Sequence, residues 1–414
     1  MSTTKNISTK KCLICDNKIS PFISYGQMPI ANGFLKSENF TKEYFFPMEV
    51  AHCENCSMVQ LIETPDRELM FNENYAFFSG TSQAMKEHFK DFAKDIKDRF
   101  LTENNPFVVE IGSNDGIMLQ NFANWSIRHL GIEPSANVAR VAMDKGVNTM
   151  VDFFDENLAI KIVEQNGQAD AFIAANVMCH LPYFHSIVAG ISKLIKKTGI
   201  VVFEDPYLGD VIEKTSYDQI YDEHTFLFSV NSINYIFLEY GMEVIDVMPQ
   251  ETHGGSMRYI IGHKGVRNIS ERALQQMEKE KNLQLNLPNT YTKFKENCET
   301  SRKELKELLQ QLKSEGKRVT GYGATSKSTT ILNYSDIGSD LIEYICDNTP
   351  IKQGKYSPGK HIPIESIETF RQNYPDYSVL FAYNHAKEIM EKEKDFVANG
   401  GKWILYVPNV HVVN

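Results

Sequence analysis

Residues 108–116 read Val-Val-Glu-Ile-Gly-Ser-Asn-Asp-Gly, and no other stretch constrains the fold of this chain as strongly. The apolar run 107–111 is long enough for a strand buried on both faces of a parallel sheet. It enters Gly112, Asn114 and Gly116 and then a helical pattern over 117–122. A strand, a tight glycine turn and a helix in succession present backbone N–H groups and a helix N-terminus to a ligand. Glycine spacing alone is only a loose dinucleotide fingerprint. Glu110 ends the first strand and Glu133 follows a second strand pattern, 128–132. A carboxylate placed there accepts bonds from both ribose hydroxyls. No phosphate-reaching lysine follows, which favours a nucleoside over a pyrophosphate, and S-adenosylmethionine fits that description.

Strand and helix patterns alternate from 107 to about 264, with strands expected at 107–111, 128–132, 148–151, 171–175, 200–203, 242–247 and 257–262. Helical segments between most of the first six imply a doubly wound parallel sheet. Only 248–256 separates the last two, too short for a right-handed crossover, so the seventh strand must pair antiparallel. The fold class is α/β, a seven-stranded Rossmann-like sheet of the class I methyltransferase arrangement.

The 414 residues exceed one ordinary core and imply two or three domains. A net charge of −10 argues against a nucleic-acid partner. The opening residues lack the apolar core of a signal peptide, and no apolar stretch approaches the ~20 residues of a membrane span, so the expected location is cytoplasmic. Cys12 and Cys15 form one CxxC, Cys53 and Cys56 another. Paired knuckles of this kind set four thiolates around zinc; a redox CxxC is the competing reading, but the pattern is doubled and lies outside any βαβ unit. Four thiolates leave no open coordination position, so this metal would hold the fold, and no catalytic metal is required. Cys179, Cys298 and Cys346 read as buried thiols.

In order, the chain is expected to comprise a zinc module at 1–70 with a turn-rich 25–33 and a strand at 57–62, a methyltransferase domain at 71–264, a charged helical connector at 265–317 broken near 286–289, and a second Rossmann-like α/β domain at 318–414. Within 71–100, Tyr75 to Ser82 precede an amphipathic helix. Tyr75 and Phe78 read either as packing or as a lid, and Ser79 suits a cofactor carboxylate. In the last domain, strands are expected at 318–321, 342–346, 378–383 and 403–407. Gly321 and Gly323 make either a tight turn or a degenerate nucleotide loop, and Lys327 and Lys352 suit diphosphate oxygens.

Chemistry concentrates at the carboxyl ends of the fourth and fifth strands, the usual ligand edge of such sheets. The block Tyr217-Asp-Gln-Ile-Tyr-Asp-Glu-His-Thr225, read as helix, puts Tyr217, Tyr221 and His224 on one face. A phenol, a carboxylate and an imidazole together can take a carbon-bound proton and hold the resulting enolate. His180, in the segment Asn176-Val-Met-Cys-His, faces the same crevice.

Taken in order, the four-cysteine module, Glu-Ile-Gly-Ser-Asn-Asp-Gly, Tyr-Asp-Glu-His, His-Gly-Gly-Ser-Met-Arg (253–258) and Gly-Tyr-Gly-Ala-Thr-Ser-Lys (321–327) resemble the three-domain deoxysugar C-methyltransferases. The resemblance covers essentially the whole chain; Asn114 departs from the general class I pattern, where a glycine is usual. It implies methyl transfer from S-adenosylmethionine to a carbon beside the ketone of a nucleotide-linked keto-deoxysugar, dTDP-linked first, GDP- or CDP-linked otherwise. His224 is then the base, Tyr221 the oxyanion donor, Glu223 the group orienting His224, and His180 a further catalytic candidate, with Tyr221 as base the alternative. Cofactor contacts fall to Glu110, Gly112, Asn114, Gly116, Glu133, Asn176, Tyr75 and Ser79. Substrate contacts fall to His253, Arg258, Lys327 and Lys352. Two other readings stand beside this one: an NAD-dependent sugar oxidoreductase using the C-terminal sheet, and a non-catalytic zinc scaffold.

Overall fold

Two turns of one design open the chain in the computed structural model, which describes residues 10–66, 70 and 83–414. Asp16 and Ser57, each just after a second cysteine, take left-handed φ of 56° and 59°. Their amides return to the carbonyls of Cys12 and Cys53 at 3.0 and 2.8 Å, and the amides of Cys12 and Cys53 close on Asn17 and Met58. These knuckles hang on an antiparallel sheet of β1 (Ser20–Pro29), β2 (Phe45–His52) and β3 (Val59–Leu61). β1 runs through the first part of the stretch expected to be turn-rich, 25–33. Register shifts between Pro21 and Ile23 and between Ser24 and Gln27 break the alternation by which a strand is recognised.

The central sheet contains β4 (Phe107–Ile111), β5 (Arg128–Ile132), β6 (Thr149–Met150), β7 (Ala169–Ala175) and β8 (Ile195–Pro206). A two-residue strand, β9 (Phe226–Leu227), leaves it to pair with β3 in the N-terminal sheet. The hairpin β10 (Met242–Gln250) and β11 (Ser256–His263) completes it in the order β10-β11-β8-β7-β4-β5-β6. β11 runs antiparallel to both neighbours, as the short connection requires. Alternation sorts the strands into two cores: Val108, Ala171 and Ile173 pack with Phe92 and Phe122, while Val109, Phe172 and Ala174 join Phe184 and Ile191 on the other face. Each valine, isoleucine or phenylalanine fully buried this way contributes about 1.5–3 kcal/mol, the alanines less, and the β4 turn is anchored on both sides by that packing.

The connector is two helices, Glu271–Asn282 and Pro288–Ser314. Beyond it, β12 (Val319–Tyr322), β13 (Ile345–Cys346), β14 (Ile364–Glu365), β15 (Tyr377–Leu380), β16 (Lys402–Leu405) and β17 (His411–Val413) form a second sheet in the order β14-β13-β12-β15-β16-β17. β14 and β17, of two and three residues, are too short for a periodic signal. A Cβ at Gly321 would lie 2.6 Å from the Phe381 ring, and Gly323 has φ of 90°. Close approach and a left-handed turn therefore account for both glycines.

Candidate active site

A cavity of about 350 Å³ opens at the carboxyl ends of β4, β5, β7 and β8. Its far wall comes from the N-terminal module through Asn32 and from the C-terminal sheet through Thr325, Ser326, Lys327, Lys352 and His385.

At one end stand Gly112, Asn114, Glu133, Asp152, Phe153 and Asn176. Gly112 has φ of 58°, and a Cβ there would lie 2.2 Å from Val177. Asn114 takes the left-handed region itself, φ 48°, so an asparagine serves where the class usually has glycine. The Glu133 carboxylate accepts the amides of Asn114 at 3.0 Å and Ser135 at 2.8 Å, one on each oxygen. Each oxygen keeps a further lone pair, so the residue can also receive two ribose hydroxyls. Burial raises its pKa. Glu110 does not join it: the side chain is buried behind the turn, raised well above the usual carboxylate range by burial and by the nearby Glu133. Gly116 also lies off the cavity, against Val147 and Ala142. Tyr75 and Ser79 lie outside the described residues.

At the other end the expected 217–224 helix is absent. Tyr217–Gln219 is a single 3-10 turn, and Tyr217 turns into the core, where Ser301 donates to its hydroxyl at 3.4 Å. Tyr221 and His224 do meet, because the His224 amide closes a tight turn on the Tyr221 carbonyl at 2.9 Å. His224 Nδ1 lies 2.6 Å from the Gln219 carbonyl oxygen. A carbonyl only accepts, so Nδ1 carries the proton in the neutral ring and Nε2 offers a lone pair. The Tyr221 hydroxyl, 2.7 Å from Nε2, donates to it. The His180 ring stacks on His224 with centroids 5.3 Å apart. Burial, and then the neighbouring His180, hold His224 well below the ordinary histidine value; burial alone takes His180 down to about 4.

Glu223 does not orient His224. Its Oε1 accepts Asn32 Nδ2 at 2.7 Å, and burial pushes its carboxyl up to about 7. The orienting group is the Gln219 carbonyl, a backbone atom whose role no side-chain motif announces. Asn32 reaches the cavity across 191 positions of sequence and carries no local signal.

Lys327 and Lys352 both line the cavity, and burial lowers both ammonium groups. Lys327 Nζ donates to the His253 carbonyl at 2.9 Å and Lys352 Nζ to the Ala324 carbonyl at 2.8 Å, leaving further N–H donors on each. They flank the start of the helix Ser326–Tyr334, capped by Thr325. His253 shares this wall. Arg258 does not: its guanidinium is buried on Glu204, with Nε 2.7 Å from Oε2, and lies over the Phe92 ring. The partner is set by register, since Arg258 stands opposite Glu204 across β11 and β8.

Three family models match in succession: a zinc binding domain over residues 12–71, a methyltransferase domain over 85–247 and a C-methyltransferase C-terminal domain over 251–408. The C-methyltransferase NovU of Streptomyces niveus is 31% identical over 394 residues, spanning 95% of this chain and 94% of that protein. The chain belongs to the three-domain C-methyltransferase family. Among solved structures, this C-methyltransferase is similar over 49% of its length to a protein of Pyrococcus horikoshii (TM-score 0.36, 11% identity, all of that chain). It is also similar over 43% to magnesium protoporphyrin IX methyltransferase from Synechocystis (TM-score 0.33, 13% identity, 79% of that chain). At such scores these likenesses carry no further weight.

The C-methyltransferase uses S-adenosylmethionine, and the Gly112–Glu133 cradle fits its nucleoside. The zinc fits too. The Sγ atoms of Cys12, Cys15, Cys53 and Cys56 all lie within 4.8 Å of one another, with contacts of 3.6 Å (Cys12 and Cys56) and 3.4 Å (Cys15 and Cys53). A tetrahedron of 2.3 Å Zn–S bonds has edges of roughly 3.8 Å. The Ile14 amide points at Cys12 Sγ from 3.4 Å, a donor suited to a thiolate. Among the described residues no helix is long and apolar enough to cross a membrane.

Proposed function

We propose that this C-methyltransferase methylates a carbon next to the ketone of a nucleotide-linked keto-deoxysugar through an enolate. The observation that carries the reading is the Tyr221–His224 pair, whose tautomer is fixed by the Gln219 carbonyl. The ketone acidifies the neighbouring C–H. As the Tyr221 oxygen takes that proton, its own hydroxyl proton passes to His224 Nε2, so the phenol acts with the basicity of the imidazole behind it. Both nitrogens then carry protons, and the Gln219 carbonyl steadies the resulting imidazolium. The two assignments weighed from the sequence, His224 as base and Tyr221 as base, thus combine: His224 is the terminal acceptor and Tyr221 the group in contact with carbon. Lys327 and Lys352 meet the diphosphate, where partial desolvation strengthens each charged contact. Glu133, Asn114 and the Gly112 turn would hold S-adenosylmethionine, which when bound would supply an electrophilic sulfonium methyl for the enolate carbon. The remaining walls exclude water and hold the reacting atoms in line.

A panel of dTDP-, GDP- and CDP-linked keto-sugars assayed for methyl transfer tests the substrate class. With S-adenosylhomocysteine in deuterated water, the keto-sugar should exchange hydrogen for deuterium at the carbon otherwise methylated. Turnover of none of the panel would overturn the reading.

A further inference from the structure

An enolate forming in this cavity needs a hydrogen-bond donor at its oxygen, and removing one such donor elsewhere costs about 10²–10³ in kcat. Neither member of the proton-accepting pair is available. The single O–H of Tyr221 is directed at His224 Nε2, and the Nδ1–H of His224 at the Gln219 carbonyl. We propose that His253 is the catalytic residue that donates a hydrogen bond from its neutral ring to the ketone oxygen as it becomes an enolate. The assignment rests on the keto-sugar reading and extends it.

Three observations carry it. The His253 ring lines the cavity beside Tyr221 and Lys327, and its Nε2 has no hydrogen-bond partner among the described residues. Its backbone lies at φ 56°, ψ 16°, a left-handed conformation unusual for histidine, which persists only where the surroundings enforce it. Here they do: its carbonyl accepts from Gln219 Nε2 and, at 2.9 Å, from Lys327 Nζ. Gln219 thus grips both histidines, His224 through its backbone oxygen and His253 through its side-chain amide, and couples the position of donor to that of base.

The protonation state agrees. Burial, then the charge of Lys327, take His253 down to about 3, so the ring is neutral at physiological pH. A neutral imidazole is too weak an acid to surrender its proton to the enolate and polarises the carbonyl by hydrogen bonding alone. The step balances without it: the carbon-bound proton goes to the Tyr221 oxygen as the phenolic proton passes to His224, the freed electron pair forms the new C–C bond as the methyl carbon–sulfur bond breaks and its pair stays on the departing thioether, the ketone re-forms, and His253 keeps its proton throughout.

The decisive variant is His253→Gly. Glycine occupies the left-handed region without strain and keeps the backbone carbonyl with its two donors, so only the ring is lost. Expected are a kcat lower by about 10²–10³, deuterium exchange slowed by a similar factor, affinity for S-adenosylhomocysteine unchanged by calorimetry, and partial rescue by added imidazole. His253→Asn, which tolerates the same backbone and keeps a short amide donor, should fall between. If the wild type methylates a keto-sugar and His253→Gly turns over within about threefold of it, this assignment is wrong while the keto-sugar reading stands. A variant that loses methyl transfer but exchanges deuterium at the wild-type rate also overturns it. If the wild type methylates no keto-sugar, the underlying reading fails, and the assignment with it.

Discussion

The amide of Leu61 donates to the carbonyl of Thr225 across 2.8 Å, joining the last strand of the four-cysteine module to the residue after His224. Gln60 and Phe226 pair beside it, so β9 belongs to the zinc-bearing sheet although it lies within the methyltransferase segment. A thiolate cluster that organises β2 and β3 therefore also supports the backbone entering the site.

Metal analysis of the purified protein should find about one zinc per chain, and Cys53→Ser should yield insoluble protein, because a closed thiolate site supplies folding energy directly. A soluble, fully active variant lacking all four cysteines would contradict this.

Tyr221→Phe and His224→Asn should each lower kcat by about 10²–10⁴, the range of a positioned proton-transfer group, and slow deuterium exchange in parallel. Binding of S-adenosylhomocysteine should be intact in both. Undiminished exchange in the pair would move the base elsewhere, with His180 the next candidate.

His224 is held below its ordinary value, so the proton-accepting form persists as the pH falls past 6.5. The acid limb of kcat/KM should lie below that value. Replacing His180 with Gln removes the second cause of the depression and should move the limb upward, a shift read directly from the pH–rate profile.

Asp222 accepts the Ala31 amide at 3.0 Å, and burial, with Glu223 as the second cause, pushes its carboxyl up to about 8. The folded protein holds a proton that the unfolded chain releases above about 4. That contribution is complete below the unfolded value and is lost as the pH rises through 8. Tm should therefore decline from pH 6 to 9, and Asp222→Asn, which keeps the acceptor oxygen without the charge, should decline less. Parallel curves would remove Asp222 as the cause.

Arg258→Leu would leave Glu204 buried with His88, 2.7 Å away, as its only charge partner among the described residues. Breaking a buried pair in this way costs about 3–5 kcal/mol. The variant should unfold well below the wild type by calorimetry. If it keeps its stability and loses only affinity for the sugar nucleotide, the arginine contacts substrate after all.

Much of the framework is legible in the sequence. The β4 turn with Glu133, the doubled cysteine knuckles and the reversed last strand each follow from spacing that local geometry enforces. The helix expected to pair Tyr221 with His224 does not form, yet a three-residue separation also closes a turn. Glu223, Arg258 and Tyr217 depart from the sequence expectation because their partners, Asn32, Glu204 and Ser301, are chosen by tertiary packing. Gln219 carries no sequence signal because half of its work is done by a backbone oxygen.

The direction of β11 decides which residues can become chemical at all. Its first residue, Ser256, sits opposite Pro206 at the ligand edge, so the turn 251–255 emerges there. Had the strand run with its neighbours, its leading end would lie a strand's length away, roughly 26 Å for eight residues. His253 would then open onto the opposite rim of the sheet, out of reach of any molecule lying across Tyr221 and Glu133. One reversed strand thus sets the polarity of the catalytic rim, and a chimera that grafts an all-parallel seventh position onto this sheet would keep its core and lose that wall.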